Sequence, residues 1–275
     1  MDPRADRLGR LPFERANEGA DVGTEGRTVN DHKVVVITGA GAGIGRVTAR
    51  RLLDDGHSVV LAGRRRETLE ETADGRPGAS VVETDVTSSE SVRALFRAVR
   101  ERYGRVDVLF NNAGVFGATA SVDEITDEAW REALDTNVTG SLYCAREAAA
   151  MMREQEPGGG RIINNGSVSA HVPRPSSVAY TVSKHAISGL TASMNLDLRA
   201  HGIACTQIDI GNAATAMTAG IGANARQADG SVRPEPTIDA GHVADTIAHI
   251  VSLPLDVNVP SLTVMAREMP FAGRG

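Results

Sequence analysis

From Lys33 onward the chain alternates short β-branched and apolar runs with stretches whose apolar residues recur at helical spacing, the order that a parallel sheet with crossover helices requires. Strands are expected at Lys33–Thr38, His57–Ala62, Ala79–Thr84, Val106–Phe110, Arg161–Gly166, Gly202–Ile208 and Ser261–Met265. Helices are expected at Ile44–Asp55, Glu67–Ala73, Ser88–Tyr103, Asp127–Glu154, Ser176–His201 and Asp239–Leu253. Together they predict an α/β fold, a doubly wound parallel seven-stranded sheet in one domain over residues 33–275. Residues 1–32 are rich in Gly, Asp, Glu and Arg and poor in large apolar groups, so a flexible N-terminal extension is expected there, with Val29 a candidate downstream start. Between Asn212 and Ile238 the rhythm breaks, and a connection that long predicts a lid or substrate loop at about 212–238.

Composition narrows the function. A net charge of −6 leaves no basic stripe for nucleic acid. Apolar runs fall short of the ~18 residues that span a bilayer, and the N-terminus has no signal-like apolar stretch. Cys144 and Cys205 lie far apart without metal-ligand spacing, so no disulfide framework and no metal site is expected, and a reducing cytoplasm fits. Of 29 basic side chains only Lys33 and Lys184 are lysine, so a lysine in this chain marks a place where arginine does not serve.

The turn Thr38-Gly39-Ala40-Gly41-Ala42-Gly43-Ile44-Gly45 joins the first strand to the first helix. Glycines let the backbone turn sharply and approach a ligand, and the helix N-terminus offers free N–H groups to a pyrophosphate. A strict G-x-G-x-x-G pattern fails, because Ile44 or Arg46 takes the third glycine position. At the end of the second strand, where an acidic residue would hydrogen-bond the ribose of NAD, stands Gly63, followed by Arg64, Arg65 and Arg66. Guanidinium forks suit a 2′-phosphate, so NADP(H) is favoured over NAD(H), with Arg64 and Arg65 as its contacts. Tyr180 and Lys184 stand four apart in an expected helix, on one face, where an ammonium depresses the pKa of a phenol. Ser167 and Ser169 are candidate hydroxyls at the end of the fifth strand, the edge where open α/β sheets bind ligands.

These motifs, in this order, resemble the short-chain dehydrogenase/reductase family over roughly residues 33 to 265. The turn matches its T-G-x-x-x-G-x-G at Thr38, Gly39, Gly43 and Gly45. Asn111-Asn112-Ala113-Gly114 matches its N-N-A-G, and Asp85-Val86 its adenine-contacting pair. The resemblance implies a Rossmann-type fold. It selects Ser167, thirteen positions before Tyr180, as the hydroxyl that holds the substrate oxygen. It makes Tyr180 the acid/base, Lys184 the group that lowers the tyrosine pKa, and Asn137 the end of a proton relay. The cofactor contacts implied are Thr38, Gly39, Gly43, Ile44, Gly45, Asp85, Val86, Asn111, Ala113, Gly114, Tyr180, Lys184, Gly211 and Thr215, although Ile210 stands where the family usually has proline. Ser169, His171 and Met217 are expected at the substrate. The segment Leu253–Val259 is similar to a subgroup of NADP-dependent reductases and hydroxy-acid dehydrogenases. The reaction implied is hydride transfer between a nicotinamide and a small-molecule carbonyl, secondary alcohol or hydroxy acid. A homotetramer is implied as well, with Ala145, Ala148, Ala149 and Ala150 as a surface for close helix packing. The alternative is a non-catalytic NADP-sensing regulator or scaffold, which would need no phenol base.

Overall fold

The computed structural model describes residues 32–218, 224–227 and 229–271. Apart from His32, the expected N-terminal extension lies outside the described residues. The first strand, β1 (Val34–Thr38), is buried along its whole length, which is why it reads as a continuous apolar run and not as an alternation. It leads through the glycine turn into α1 (Gly43–Asp54), then β2 (Ser58–Gly63), α2 (Arg66–Ala73), β3 (Ala79–Glu83) and α3 (Ser89–Tyr103). The chain continues as β4 (Val108–Asn111), α4 (Asp127–Leu134), α5 (Gly140–Glu154), β5 (Gly160–Asn165), α6 (Val178–Leu198) and β6 (Ile203–Ile210). A two-stranded hairpin follows, β7 (Ala225–Arg226) and β8 (Val232–Arg233), then α7 (Ala240–Ser252) and β9 (Ser261–Val264).

Seven of these strands form one parallel sheet in the order β3-β2-β1-β4-β5-β6-β9. Side chains alternate across it. Val34 and Val36 enter the layer built with α3, α5 and Met194 of α6, whereas Val35 and Ile37 enter the layer built with α1, Leu69 of α2 and α7. Strand order reverses between β1 and β4, and a crevice at such a point is where open α/β sheets bind ligands.

Three local departures matter for the site. The helix expected at Asp127–Glu154 is interrupted by a π-helical turn, Asp135–Thr139, which carries Asn137. β6 runs two residues past its expected end at Ile208, because Asp209 finds partners for its carboxylate and the ladder to β9 continues through Asp209 and Ile210. Ala145, Ala148 and Ala149 face the sheet core, and only Ala150 of the four is exposed, so they do not form the packing surface expected of them. The expected loop at 212–238 is tied at its base, where the Ile238 amide donates to the Asn212 carbonyl and the Ala214 amide to Ile238, each at 2.8 Å.

Cys144 and Cys205 are buried in one core layer, and burial pushes both thiols up to about 12. Among the described residues no helix is long and apolar enough to cross a membrane, and no cluster of His, Cys, Asp or Glu could hold a metal ion.

Beyond the last ladder bonds of β1 and β4, the Thr38 hydroxyl takes over, accepting the amides of Asn112 and Ala113 at 3.0 Å each. The near-isosteric Thr38→Val leaves both amides without that acceptor and is expected to cost about 2–3 kcal/mol in urea unfolding. A loss under about 0.5 kcal/mol would show that other groups satisfy them.

Candidate active site

The glycine turn is shaped by contacts that leave no room for side chains. Gly39 has φ +65°, and a Cβ on Gly45 would sit 2.5 Å from Asn112 Nδ2. α1 begins with no side-chain cap and no acidic residue in its first turn, so its leading N–H groups remain open to an anion. A cleft runs from this turn in both directions.

At one end the cleft is lined by Gly63, Arg64, Arg65, Asp85, Val86 and Thr136. Arg66 is paired with Glu70, whereas Arg64 and Arg65 are exposed and form no ion pair among the described residues. Asp85 accepts the amide and hydroxyl of Thr87 and so shapes its own turn. At the other end the cleft is lined by Gly43, Ile44, Tyr180, Lys184, Gly211, Thr215 and Met217, and Gly39, Ala113 and Gly114 border both halves.

Three expected cofactor residues are not on the wall, the first of them Gly45, which is buried and packs against Gly39 and Asn112. Thr38 is 1% exposed and acts within the framework, and Asn111 points the other way, donating to the Ser141 carbonyl and Asn164 Oδ1 behind β4. Asn112 takes the place at the cleft. Its amide nitrogen donates to Thr38 O at 2.9 Å, and its oxygen accepts from Asn165 Nδ2 at 3.0 Å.

The structure brings Ser167, Tyr180 and Lys184 together. Ser167 follows β5 and caps the short 3-10 turn Val168–Ala170, its hydroxyl accepting the Ser169 amide at 3.1 Å and lying near enough to Tyr180 to pull its pKa down. Lys184, one helical turn beyond Tyr180, donates to Asn165 O at 2.7 Å, its Nζ 5.5 Å from the tyrosine ring centroid. Phe116 also packs on that ring, at 4.8 Å between centroids and tilted by 31°.

Asn137 stands further back. Its side-chain amide pairs with both backbone groups of Val115, at 2.8 and 2.9 Å, and donates to Ser183, whose hydroxyl holds the Tyr180 carbonyl. No hydrogen bond joins Asn137 to Lys184 among the described residues; the link to α6 runs through Ser183. Ser169 is buried beside Ser167. His171 is half exposed and hydrogen-bonds Asp209 through Nε2 at 2.7 Å.

Charge is distributed in a way that the sequence does not reveal. Burial pushes the Tyr180 phenol above its ordinary value, against the pull of the Ser167 hydrogen bond and of Arg174, and Asp209 adds to the rise. The phenol thus lies above its ordinary value and not below it, and the cation that pulls it down is Arg174, not the Lys184 expected. Lys184 is lowered to about 8, again by burial, partly opposed by Asp209. Sequence reasoning missed Asn112, Asn165, Asp209, Arg174 and Phe116. For Asp209 the signal was an acid set inside the apolar run Ile203–Ile210.

Comparison with known proteins decides the family. The short chain dehydrogenase family model matches residues 33–226. The chain belongs to the short-chain dehydrogenases. A 3beta-hydroxysteroid dehydrogenase of Mediterraneibacter gnavus is 39% identical over 184 residues, 65% of each chain. An uncharacterized oxidoreductase of Staphylococcus aureus is 33% identical over 86% of this chain and 98% of its own. Among solved structures, an actinorhodin polyketide ketoreductase variant with NADPH superposes with TM-score 0.74 at 29% identity, covering 86% of this chain and 96% of its own. Serine dehydrogenase from Escherichia coli gives 0.73 at 25%, covering 85% and 97%. As a short-chain dehydrogenase this protein is an NAD(P)-dependent oxidoreductase that interconverts an alcohol and a carbonyl.

The depressed Lys184 carries a stability consequence. A lysine whose folded pKa falls from 10.5 to about 8 binds its proton less well folded than unfolded, so it destabilises the fold below pH 8, and the penalty fades as pH rises to 10.5. Lys184→Met is therefore expected to stabilise the unliganded protein at pH 7 by at most about 3 kcal/mol, an advantage that shrinks above pH 8 and vanishes near pH 10.5. Thermal unfolding at several pH values measures it; equal melting temperatures at pH 7 would contradict the burial cost.

Proposed function

We propose that this short-chain dehydrogenase prefers NADP(H) and uses Ser167, Tyr180, Lys184 and Asn137 to move a proton to and from the oxygen of a small carbonyl or secondary alcohol. The observation that carries the reading is Lys184 one helical turn beyond Tyr180, its Nζ 5.5 Å from the tyrosine ring, with Ser167 near enough to pull the phenol's pKa down, at the end of the cleft away from Arg64 and Arg65.

The chain's residues fit a dinucleotide. Uncapped α1 amides would meet a pyrophosphate, Gly39 and Gly43 leave the backbone bare at the cleft, and Arg64 and Arg65 form no ion pair among the described residues where a 2′-phosphate would lie. Asp85 and Val86 line the adenine side, while Gly211 and Thr215 line the nicotinamide side. The dinucleotide, when bound, supplies or accepts the hydride. Ser167 orients the substrate oxygen by a hydrogen bond. In reduction the Tyr180 hydroxyl gives its proton to that oxygen, leaving a phenolate that Lys184 stabilises and solvent reprotonates; oxidation runs the same proton backwards. Asn137 holds the α6 backbone at Tyr180 through Ser183, and we assign Ser169, His171 and Met217 to the substrate, of which Met217 lines the cleft. We assign this work to one domain over residues 33–275, with residues 1–32 an extension, acting in the cytoplasm as a homotetramer in which exposed Leu142 and Leu196 are candidate contacts.

Two measurements test the reading. Tyr180→Phe should bind NADPH normally and lose turnover by at least about a hundredfold; near-normal turnover would refute the mechanism. Arg64→Ala should weaken NADPH about tenfold or more and leave NADH unchanged, as the loss of one charge-assisted contact predicts. Tighter NADH than NADPH binding by the unmodified protein would overturn the cofactor preference.

A further inference from the structure

Asp209 is a carboxylate that the proton-transfer scheme does not use. It is buried near the end of β6, and three side chains or amides converge on it. The Ser167 amide reaches Oδ1 at 2.9 Å, Gln207 Nε2 reaches the same oxygen at 2.7 Å, and His171 Nε2 meets Oδ2 at 2.7 Å. Two N–H donors on one oxygen, neither able to accept, call for a carboxylate that only accepts. The backbone makes room for it, since a Cβ on Gly166 would collide with Asp209 Oδ1. Gln207 carries the connection onward, donating also to Ser188 Oγ at 3.0 Å, one turn beyond Lys184 on α6. One carboxylate thus joins the end of β5, the turn that carries His171, and α6.

At this edge of the sheet the Gly166 amide still bonds β6, at Ile208 O and 2.8 Å, whereas the next amide, that of Ser167, takes the Asp209 side chain instead. Ser167 is therefore held at its amide by Asp209 and at its hydroxyl by the Ser169 amide. The charged and titratable groups around Asp209 are His171 in contact with it, Tyr180 and Lys184 on α6, and Arg174, which reaches Tyr180 by its charge and is gripped by Glu235 at 2.9 and 2.5 Å. Lys184 has no carboxylate in contact among the described residues, and Asp209 is the anion whose field supports its ammonium.

From this arrangement we infer that Asp209 is a positioning residue of the reaction: without touching the substrate, it sets the place of Ser167 through the main-chain amide and serves Lys184 as a counter-charge. The inference rests on the reading of Ser167, Tyr180 and Lys184 as the groups that handle the substrate oxygen and its proton. Loss of the acceptor leaves the Ser167 amide unpaired in a buried corner and frees the serine to turn from the substrate. Loss of the charge alone keeps the shape and makes both the phenol and the ammonium easier to deprotonate.

The test uses Asp209→Ala and Asp209→Asn, each alone and combined with Ser167→Ala, assayed with NADPH on whichever of cyclohexanone, acetophenone and ethyl acetoacetate is reduced fastest. Asp209→Ala should bind NADPH within about twofold of the unmodified protein and lose kcat/KM about tenfold or more. In the Ser167→Ala background it should cost no more than about twofold, because the group that it positions has gone. Asp209→Asn keeps an acceptor for the amide, so kcat should stay within about threefold at its own optimum, and that optimum should move to lower pH. The chain has two lysines, so protein isotope-labelled at lysine Cε gives two NMR resonances, of which Lys33→Arg removes one. The Lys184 resonance should titrate lower by about 0.5 pH or more in Asp209→Asn.

Unchanged kcat/KM in Asp209→Ala, a loss that multiplies that of Ser167→Ala, or a Lys184 resonance that titrates alike with and without the charge overturns the inference. Normal turnover by Ser167→Ala alone removes the reading beneath it, and the inference with it. If Asp209→Ala does not fold, or none of the ketones is reduced, the lysine titration needs neither and decides: a lowered Lys184 supports the inference and an unmoved one overturns it.

Discussion

A chain of side-chain amides ties the phosphate turn to the reacting lysine. Asn112 holds the carbonyl of Thr38 at the end of β1, Asn165 donates to Asn112, and the backbone carbonyl of Asn165 receives the Lys184 ammonium. Three neighbouring strands, β1, β4 and β5, thereby end at a fixed height relative to one another, and α6 is anchored to the same level. In a partly dry crevice such bonds are stronger than in water, and the Asn112 amide uses both its donor and its acceptor, which fixes its orientation. The two halves of the cleft are held in one frame by this chain, which positions hydride chemistry relative to proton chemistry.

Within that frame the charged groups are held at a cost. Burial works against the phenolate of Tyr180 and against the ammonium of Lys184, and Asp209 opposes the first while supporting the second. A pair destabilised in this way, in the role proposed for it, would be a stability–activity trade-off at the level of atoms. Asp209 also holds the Ser167 backbone amide and the His171 ring.

The sheet was legible in the sequence because strands buried on both faces leave runs such as Val34–Thr38, and because a glycine turn follows the first of them. The proximity of Tyr180 and Lys184 was legible in their spacing, whereas Ser167 was singled out from Ser169 only by the family resemblance. Asn111 and Asn112 were confused, although the two-residue period of β4 separates them: Leu109 and Asn111 face α5, and Asn112 is free to turn to the cleft. The π turn at Asn137 was hidden because its cause is a tertiary contact, the pairing of the Asn137 amide with the Val115 backbone. Asp209 and the Arg174–Glu235 pair were hidden for the same reason. Asp209 meets Ser167 and His171, and Arg174 meets Glu235, across 38 to 61 residues, beyond what local pattern carries.

The central claim is that one rigid cleft brings a nicotinamide carbon against a carbonyl held by Ser167 and Tyr180. Deuterium transfer from stereospecifically labelled [4-2H]NADPH, followed by NMR of the product alcohol, tests it most directly. The account predicts that label from one face of the ring appears at the carbinol carbon and that label from the other face remains on the oxidised cofactor. Label from both faces in the product, or NADPH bound with no label transferred to any neutral ketone, would contradict it.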